Sequence, residues 1–176
     1  MSRSILFYIV IIASIAGCGS VGPKAPSPAY PSATPAVQPA YVPAPTVRAE
    51  RSEALLQTLL ALGVDYSYGG NSPVTGFDCS GLVSHVYREA WGIRLPHSTK
   101  AQSEAGVPVS LAELQAGDLV FYDTLKRPFS HVGIYLGDGK FVHAPKTGAQ
   151  VRVESLKSAY WSQRYNGARR IEPPIY

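Results

Sequence analysis

Cysteine is nearly missing from this sequence: Cys18 and Cys79 are the only two among 176 residues. A disulfide framework and any CxxC redox or zinc pair are therefore excluded. There is no phosphate-binding loop and no internal repeat. Long hydrophobic runs are also absent; the longest uncharged, mostly apolar stretch is Ile5 to Ala16, twelve residues, too short to span a bilayer as a helix. Charge is scarce at 16 % of the chain, and residues 48–176 hold fourteen Lys and Arg against twelve Asp and Glu, a net of +2. That balance allows loose attraction to an anionic polymer but does not argue for a nucleic-acid partner.

The short apolar run has the length of a secretory signal core, preceded by Arg3 and followed by the small residues Ala16 and Gly17 directly before Cys18. This arrangement resembles a bacterial lipobox. The resemblance implies that residues 1–17 are a signal peptide and that Cys18 is lipidated, so the chain is tethered by acyl chains in the cell envelope. Gly19 stands where an Asp would favour retention at the inner membrane, so the outer membrane, facing the periplasm, is expected. An ordinary signal peptide or a short anchor helix is the competing reading.

Proline is concentrated as sharply as cysteine is rare, with eight of fifteen falling in residues 22–47. Proline fixes φ and removes a donor, so residues 18–47 are expected to be an extended, polyproline-rich tether able to reach roughly 80 Å. Residues 48–176 are then one domain with one core.

Within that domain, SEALLQTLLALG predicts a helix over Ser52–Gly63, capped by Ser52, with Leu55, Leu56, Leu59 and Leu60 on one face. An aromatic, glycine-rich loop follows, then a second helix from Cys79 to Trp91 with Asp78 at its cap and Gly92 beyond its end. After a turn at LPHST come short segments with strand character: 118–122, 132–136, 140–144, 151–153 and 168–171. Helices first and sequential strands after read as an α+β fold, with N-terminal helices packed on an antiparallel sheet of those five strands.

With Cys18 consumed at the amino end, Cys79 is a lone thiol at a helix start. Unpaired N–H groups and the helix dipole favour an anion there, so a lowered thiol pKa is expected. Of four histidines, His85 points along the same helix and away from the cap. His131 and His143 flank the GDG connection between HVGIYL and KFVHA. A three-residue loop over Gly137, Asp138 and Gly139 would pair Leu136 with Lys140, set Ile134 opposite Val142 and put both histidines on one face, approaching across Gly133. A two-residue loop would put them on opposite faces. The arrangement suits Cys79 as attacking thiolate, His131 as general base and acid, and His143 as the residue that orients His131.

The stretches YSYGG, FDCSGLV, LPHST, AGDLVFY and SHVGIYLGDGKFVHAPKTG resemble the NlpC family of cell-wall cysteine endopeptidases, which have a compact papain-like fold. The resemblance covers most of the domain, from about Tyr66 to Gly167. It implies catalytic roles for Cys79, His131 and His143, an oxyanion or substrate role for the Tyr68 hydroxyl, and substrate contacts by Asp78 and Ser80. It also implies peptidoglycan peptide stems as substrate, no cofactor, and a monomer.

Blander roles compete at each position. Cys79 can be a buried structural thiol, Asp78 only a helix cap, Ser80 a first-turn residue and Tyr68 a packing residue. His97 reads as a turn histidine without function, and Lys157, Arg164, Arg169 and Arg170 as solvated surface. Cys79, His131 and His143 have the residue types for zinc, though without a close-spaced ligand pair. The second function class is a catalytically silent wall-binding or scaffold lipoprotein.

Overall fold

The structure is a computed structural model that describes residues 47–173 and Gly22, with side chains from residue 51 onward. The expected signal peptide 1–17, Cys18 and almost all of the expected 18–47 tether lie outside the described residues. The chain divides into two units, Met1–Tyr41 and Val42–Tyr176, and the second carries every element described.

Helix α1 (Val47–Leu60) begins earlier than expected, so Ser52 lies inside it rather than at its cap. Its buried face also differs from the expected one. Ala54, Thr58 and Ala61 are buried, while Leu56, Leu59 and Leu60 are 49 %, 48 % and 66 % exposed. The small residues recur at helical spacing and let α1 approach its neighbour closely. Thr58 tolerates burial because its hydroxyl donates to the Ala54 carbonyl at 2.7 Å.

A small hairpin of β1 (Asn71–Ser72) and β2 (Gly76–Phe77) leads into α2 (Cys79–Trp91). Asp78 starts α2 by accepting from the Gly81 N–H, and Gly92, at φ 67°, ends it by donating to the Arg88 and Tyr87 carbonyls. The short α3 (Thr99–Gln102) follows, capped by Ser98. Then come β3 (Val107–Val109), β4 (Leu119–Tyr122), β5 (His131–Gly137), β6 (Lys140–His143), β7 (Arg152–Ser155), α4 (Ala159–Ser162) and β8 (Tyr165–Arg170).

The main sheet has six strands in the order β3-β8-β4-β5-β6-β7, and every pairing is antiparallel. The α+β class and helix-on-sheet layering are those expected; the strand count is one higher. The additional strand, β3, contains Pro108, which cannot donate to a ladder and is tolerated because β3 lies at the sheet edge.

Period-two alternation gives the sheet two apolar faces. Leu119, Phe121, Val132, Ile134 and Val142 pack against Leu82, Val83, Val86 and Tyr87 of α2. Each fully buried aliphatic side chain contributes roughly 1.5–3 kcal/mol. The Tyr87 hydroxyl donates to the Gly117 carbonyl and ties α2 to the turn before β4. On the opposite face Val120, Tyr122, Phe141 and Ala168 pack under Trp161 of α4.

The β5–β6 hairpin differs from expectation in an instructive way. Gly137 pairs with Lys140, so the turn has two residues, Asp138 and Gly139, with φ 51° and 72°. These positive φ values fit a type I′ turn. Alone, that loop would put the two histidines on opposite faces. A register shift between Tyr135 and Gly137 makes Leu136 a bulge residue and restores Ile134 opposite Val142. Gly133 is required for a different reason than passage of two imidazoles: a Cβ there would meet Phe141 Cδ2 at 2.5 Å.

Arg170 is not solvated surface. Its guanidinium grips the buried Asp118 carboxylate with two hydrogen bonds, at 2.8 and 2.7 Å, and Arg51 of α1 approaches the same carboxylate at 3.6 Å. Among the described residues no helix is long and apolar enough to cross a membrane.

Candidate active site

Cys79 is the first residue of α2, and the chain before it is held down by glycine. A Cβ on Gly81 would lie 2.0 Å from the Gly70 carbonyl oxygen, so only glycine lets the 67–70 turn rest on the first turn of the helix. Asp78 N–H donates to that same carbonyl at 3.0 Å. Tyr66, Gly69, Asp78, Cys79, His97 and His131 consequently line one cavity of about 540 Å³.

Asp78 is the hub of the helix start. Its Oδ1 accepts from Gly81 N–H at 2.7 Å, from Ser80 Oγ at 3.0 Å and lies 2.8 Å from His97 Nε2; its Oδ2 accepts from Gly69 N–H at 3.0 Å. Burial works to raise the Asp78 pKa, but the Gly81 N–H, His97 and Ser80 outweigh it and hold the carboxyl below its usual value. Asp78 is thus both a cap and a fixed anion on the cleft wall. His97, read from sequence as a turn residue, is its partner. The clue in the sequence was weak: LPHST lies 19 residues after Asp78, a separation that no local pattern connects.

Ser80 is buried and engaged by Asp78, so its hydroxyl supports the carboxylate as well as lining the cavity. Tyr68 lies at the 67–70 turn and is 91 % exposed, which removes the packing reading. The half-buried tyrosine nearby is Tyr66, whose phenol pKa is raised by burial and by the charges of Cys79 and Asp78. Both tyrosines line the cavity.

His131 opens β5 and His143 closes β6, so the bulged hairpin register brings them together. His131 Nε2 and His143 Nδ1 are 2.8 Å apart, with the rings nearly perpendicular at 87°. That is the distance of a direct hydrogen bond between the two imidazoles. Both imidazoles are buried, and Trp161 covers them, stacked on His131 at 5.7 Å and edge-on to His143 at 4.9 Å. Trp161 escaped the sequence reading because α4 is one turn long and carries no periodic pattern.

The thiol is not acidified as expected. Burial first, then the Asp78 charge, push Cys79 up to about 11, outweighing the N–H groups of Val132, Ser80 and Cys79 itself. Burial pushes His131 down to about 4 and lowers His143 as well. Both shifts favour the uncharged forms, a thiol and a neutral imidazole lining one cavity. The tautomer in which His131 Nε2–H donates to His143 Nδ1 leaves His131 Nδ1 as an acceptor and puts the other hydrogen on His143 Nε2, which is buried with no partner among the described residues.

A helix-borne thiol and a sheet-borne histidine that line one cleft, with a second histidine hydrogen-bonded to the first, define a papain-like hydrolase architecture. The chain belongs to the NlpC/P60 family, whose model matches residues 63–170. It is 41 % identical over 124 residues to the murein DD-endopeptidase MepH of Escherichia coli, covering 69 % of this chain and 46 % of that protein. It is 45 % identical over 109 residues to the murein DD-endopeptidase MepS/murein LD-carboxypeptidase of the same species, covering 62 % of this chain and 56 % of the relative. The chain thus spans about half the length of these curated relatives. A solved NlpC/P60 family protein from Bacillus cereus superposes with a TM-score of 0.65 at 34 % identity, over 75 % of this chain and 42 % of that one.

Proposed function

We propose that this protein is a cysteine endopeptidase that hydrolyses peptide bonds in the stems of bacterial peptidoglycan or in the crosslinks between them. The observation that carries the reading is the 2.8 Å His131–His143 contact at the cleft that also holds Cys79. The relatives named murein DD-endopeptidases support the crosslink as the bond attacked.

The chemistry follows from the resting state. As the Cys79 sulfur attacks the carbonyl carbon, its proton passes to His131 Nδ1, and His143 steadies the imidazolium that forms. The oxyanion is received by the Cys79 N–H with Tyr66 or Tyr68. His131 then gives the proton to the leaving nitrogen, the C–N bond breaks, and a thioester remains on Cys79. Water, deprotonated by His131, attacks the thioester and releases the acid, returning the thiol.

The test is digestion of purified muropeptides, reduced and near neutral pH, with products read by mass spectrometry. Cleavage should be lost in Cys79→Ala and His131→Ala, and reduced less in His143→Ala. If linear stems and crosslinked dimers both survive the unaltered protein while wall binding persists, the scaffold reading takes its place.

The amino-terminal features suit this role. Lipidation of Cys18 would hold the protein at the outer membrane, and residues 18–47 would let a monomeric domain reach the wall. Fatty-acid labelling that persists in Cys18→Ser would remove this part of the proposal.

A further inference from the structure

The cleft does not end at the thiol. A second cavity of about 370 Å³ adjoins the first, and its walls include His143, Lys146, Arg152, Glu154, Tyr160 and Trp161 but not Cys79. Thr124, His131, Pro145 and Lys146 border both cavities, so His131 stands at the junction of two lobes.

The proposed reaction gives the lobes a direction. The imidazole that returns a proton must face the leaving nitrogen. The leaving side of the substrate therefore lies on the His131 side of the scissile carbon, toward the second lobe. The acyl side lies over Asp78 and the tyrosines.

The two lobes place their charges differently. The first has the Asp78 carboxylate beside the thiol, with Arg127 and Lys146 further along its wall, and the second has Lys146, Arg152 and Glu154. In the second both histidines are buried and neutral. Lys146 is exposed there and, among the described residues, has no carboxylate partner. Arg152 pairs with His143 across β6 and β7, which puts it beside the histidine on that face of the sheet. Its Nε donates to Glu154 Oε1 at 2.8 Å, and its two terminal nitrogens have no protein acceptor among the described residues. A cation at the junction and half of a guanidinium fork suit an anionic oxygen pair.

We propose that this second lobe is the leaving-group subsite and that Lys146 and Arg152 select a leaving residue bearing a free carboxylate over one bearing a carboxamide. The inference rests on the endopeptidase reading, and its test separates the two. In the first arm the purified protein is given peptide pairs that differ only in carboxylate or carboxamide on the leaving residue. The kcat/KM ratio should favour the carboxylate by about tenfold, as a charge-assisted hydrogen bond would give. The ratio should fall toward one in the Lys146→Gln/Arg152→Gln double variant and recover in part in Lys146→Arg/Arg152→Gln. A ratio within twofold of one in the unaltered protein, or one that survives the double variant, overturns the subsite.

The second arm needs no turnover. The leaving fragment, as carboxylate or carboxamide, is titrated calorimetrically into Cys79→Ala protein. Tighter, Lys146-dependent binding of the carboxylate upholds the subsite even if no peptide is hydrolysed and the endopeptidase reading fails. Equal binding of the two fragments overturns it.

Discussion

A Cβ on Gly81 would press on two things at once: the Gly70 carbonyl at 2.0 Å and His97 Nε2 at 2.9 Å. The glycine after Cys79 and Ser80 is thus where the tyrosine loop, the Asp78–His97 pair and the thiol-bearing helix meet. Gly81→Ala should displace the loop, because neither a carbonyl in a tight turn nor the helix backbone can yield cheaply. Overpacking of this kind costs about 1–3 kcal/mol. We expect kcat/KM on muropeptides to fall at least tenfold, with a thermal midpoint several degrees lower. Wild-type activity in this variant would mean that the loop does not hold the site.

Where local pattern decides structure, the sequence was a good guide. The α2 helix, with an Asp cap at one end and a left-handed Gly at the other, is written within 15 residues, 78–92. The sheet class and the face carrying Val132 and Ile134 follow from alternation. What was hidden depends on distant partners. The leucines of α1 look like a core stripe, yet Ala54, Thr58 and Ala61 face inward, because close helix approach favours small residues there. The expected low thiol pKa followed from the helix start alone; burial and the Asp78 charge, which only the fold supplies, reverse it. The bulge at Leu136 leaves no mark in the sequence; a two-residue turn with one bulge residue gives the same Ile134–Val142 register as the expected three-residue loop, so the histidines share the expected face.

Arg170 and Asp118 provide a stability test independent of the chemistry. Asp118 is fully buried, and Arg170 supplies its closest cationic contacts. Arg170→Ala would leave the carboxylate with Arg51 at 3.6 Å and the Gln115 N–H at 2.8 Å. Removing one partner of a buried pair typically costs about 3–5 kcal/mol. Arg169→Ala, which loses only a hydrogen bond to the Ala168 carbonyl, should cost well under half as much. Urea unfolding of both variants checks the contrast, and similar midpoints would show that the buried carboxylate is not the anchor assigned to it.

The buried histidines make stability fall with acid. In the unfolded chain they take up protons near 6.5, whereas burial keeps His131 neutral to about 4 and lowers His143 too. Between those values the unfolded state binds more protons, so stability drops as pH falls from about 6.5 toward 4. Activity of the folded protein should hold further into acid than stability does and fall only near pH 4, where His131 itself takes up a proton and can no longer accept one from Cys79. Urea midpoints measured from pH 7 to 4 should show a shallower fall in His143→Asn, which removes one of the two groups. An unchanged slope in that variant would count against His143 as a source of the effect.

The bulge makes a sharper test of how the histidines come to share a face. Leu136 is an extra residue, so the pairing of Tyr135 with Phe141 and of Ile134 with Val142 does not need it. Deleting Leu136 should leave His131 beside His143, at the cost of a partly buried side chain. An alanine inserted between His131 and Val132 should instead carry His131 to the opposite face, since a one-residue slip inverts a strand. The deletion variant should therefore retain measurable muropeptide cleavage with a lowered unfolding midpoint, and the insertion variant should lose cleavage outright. The opposite outcome, an active insertion beside an inactive but folded deletion, would mean that the bulge, and not the residue count before it, orients the histidine pair.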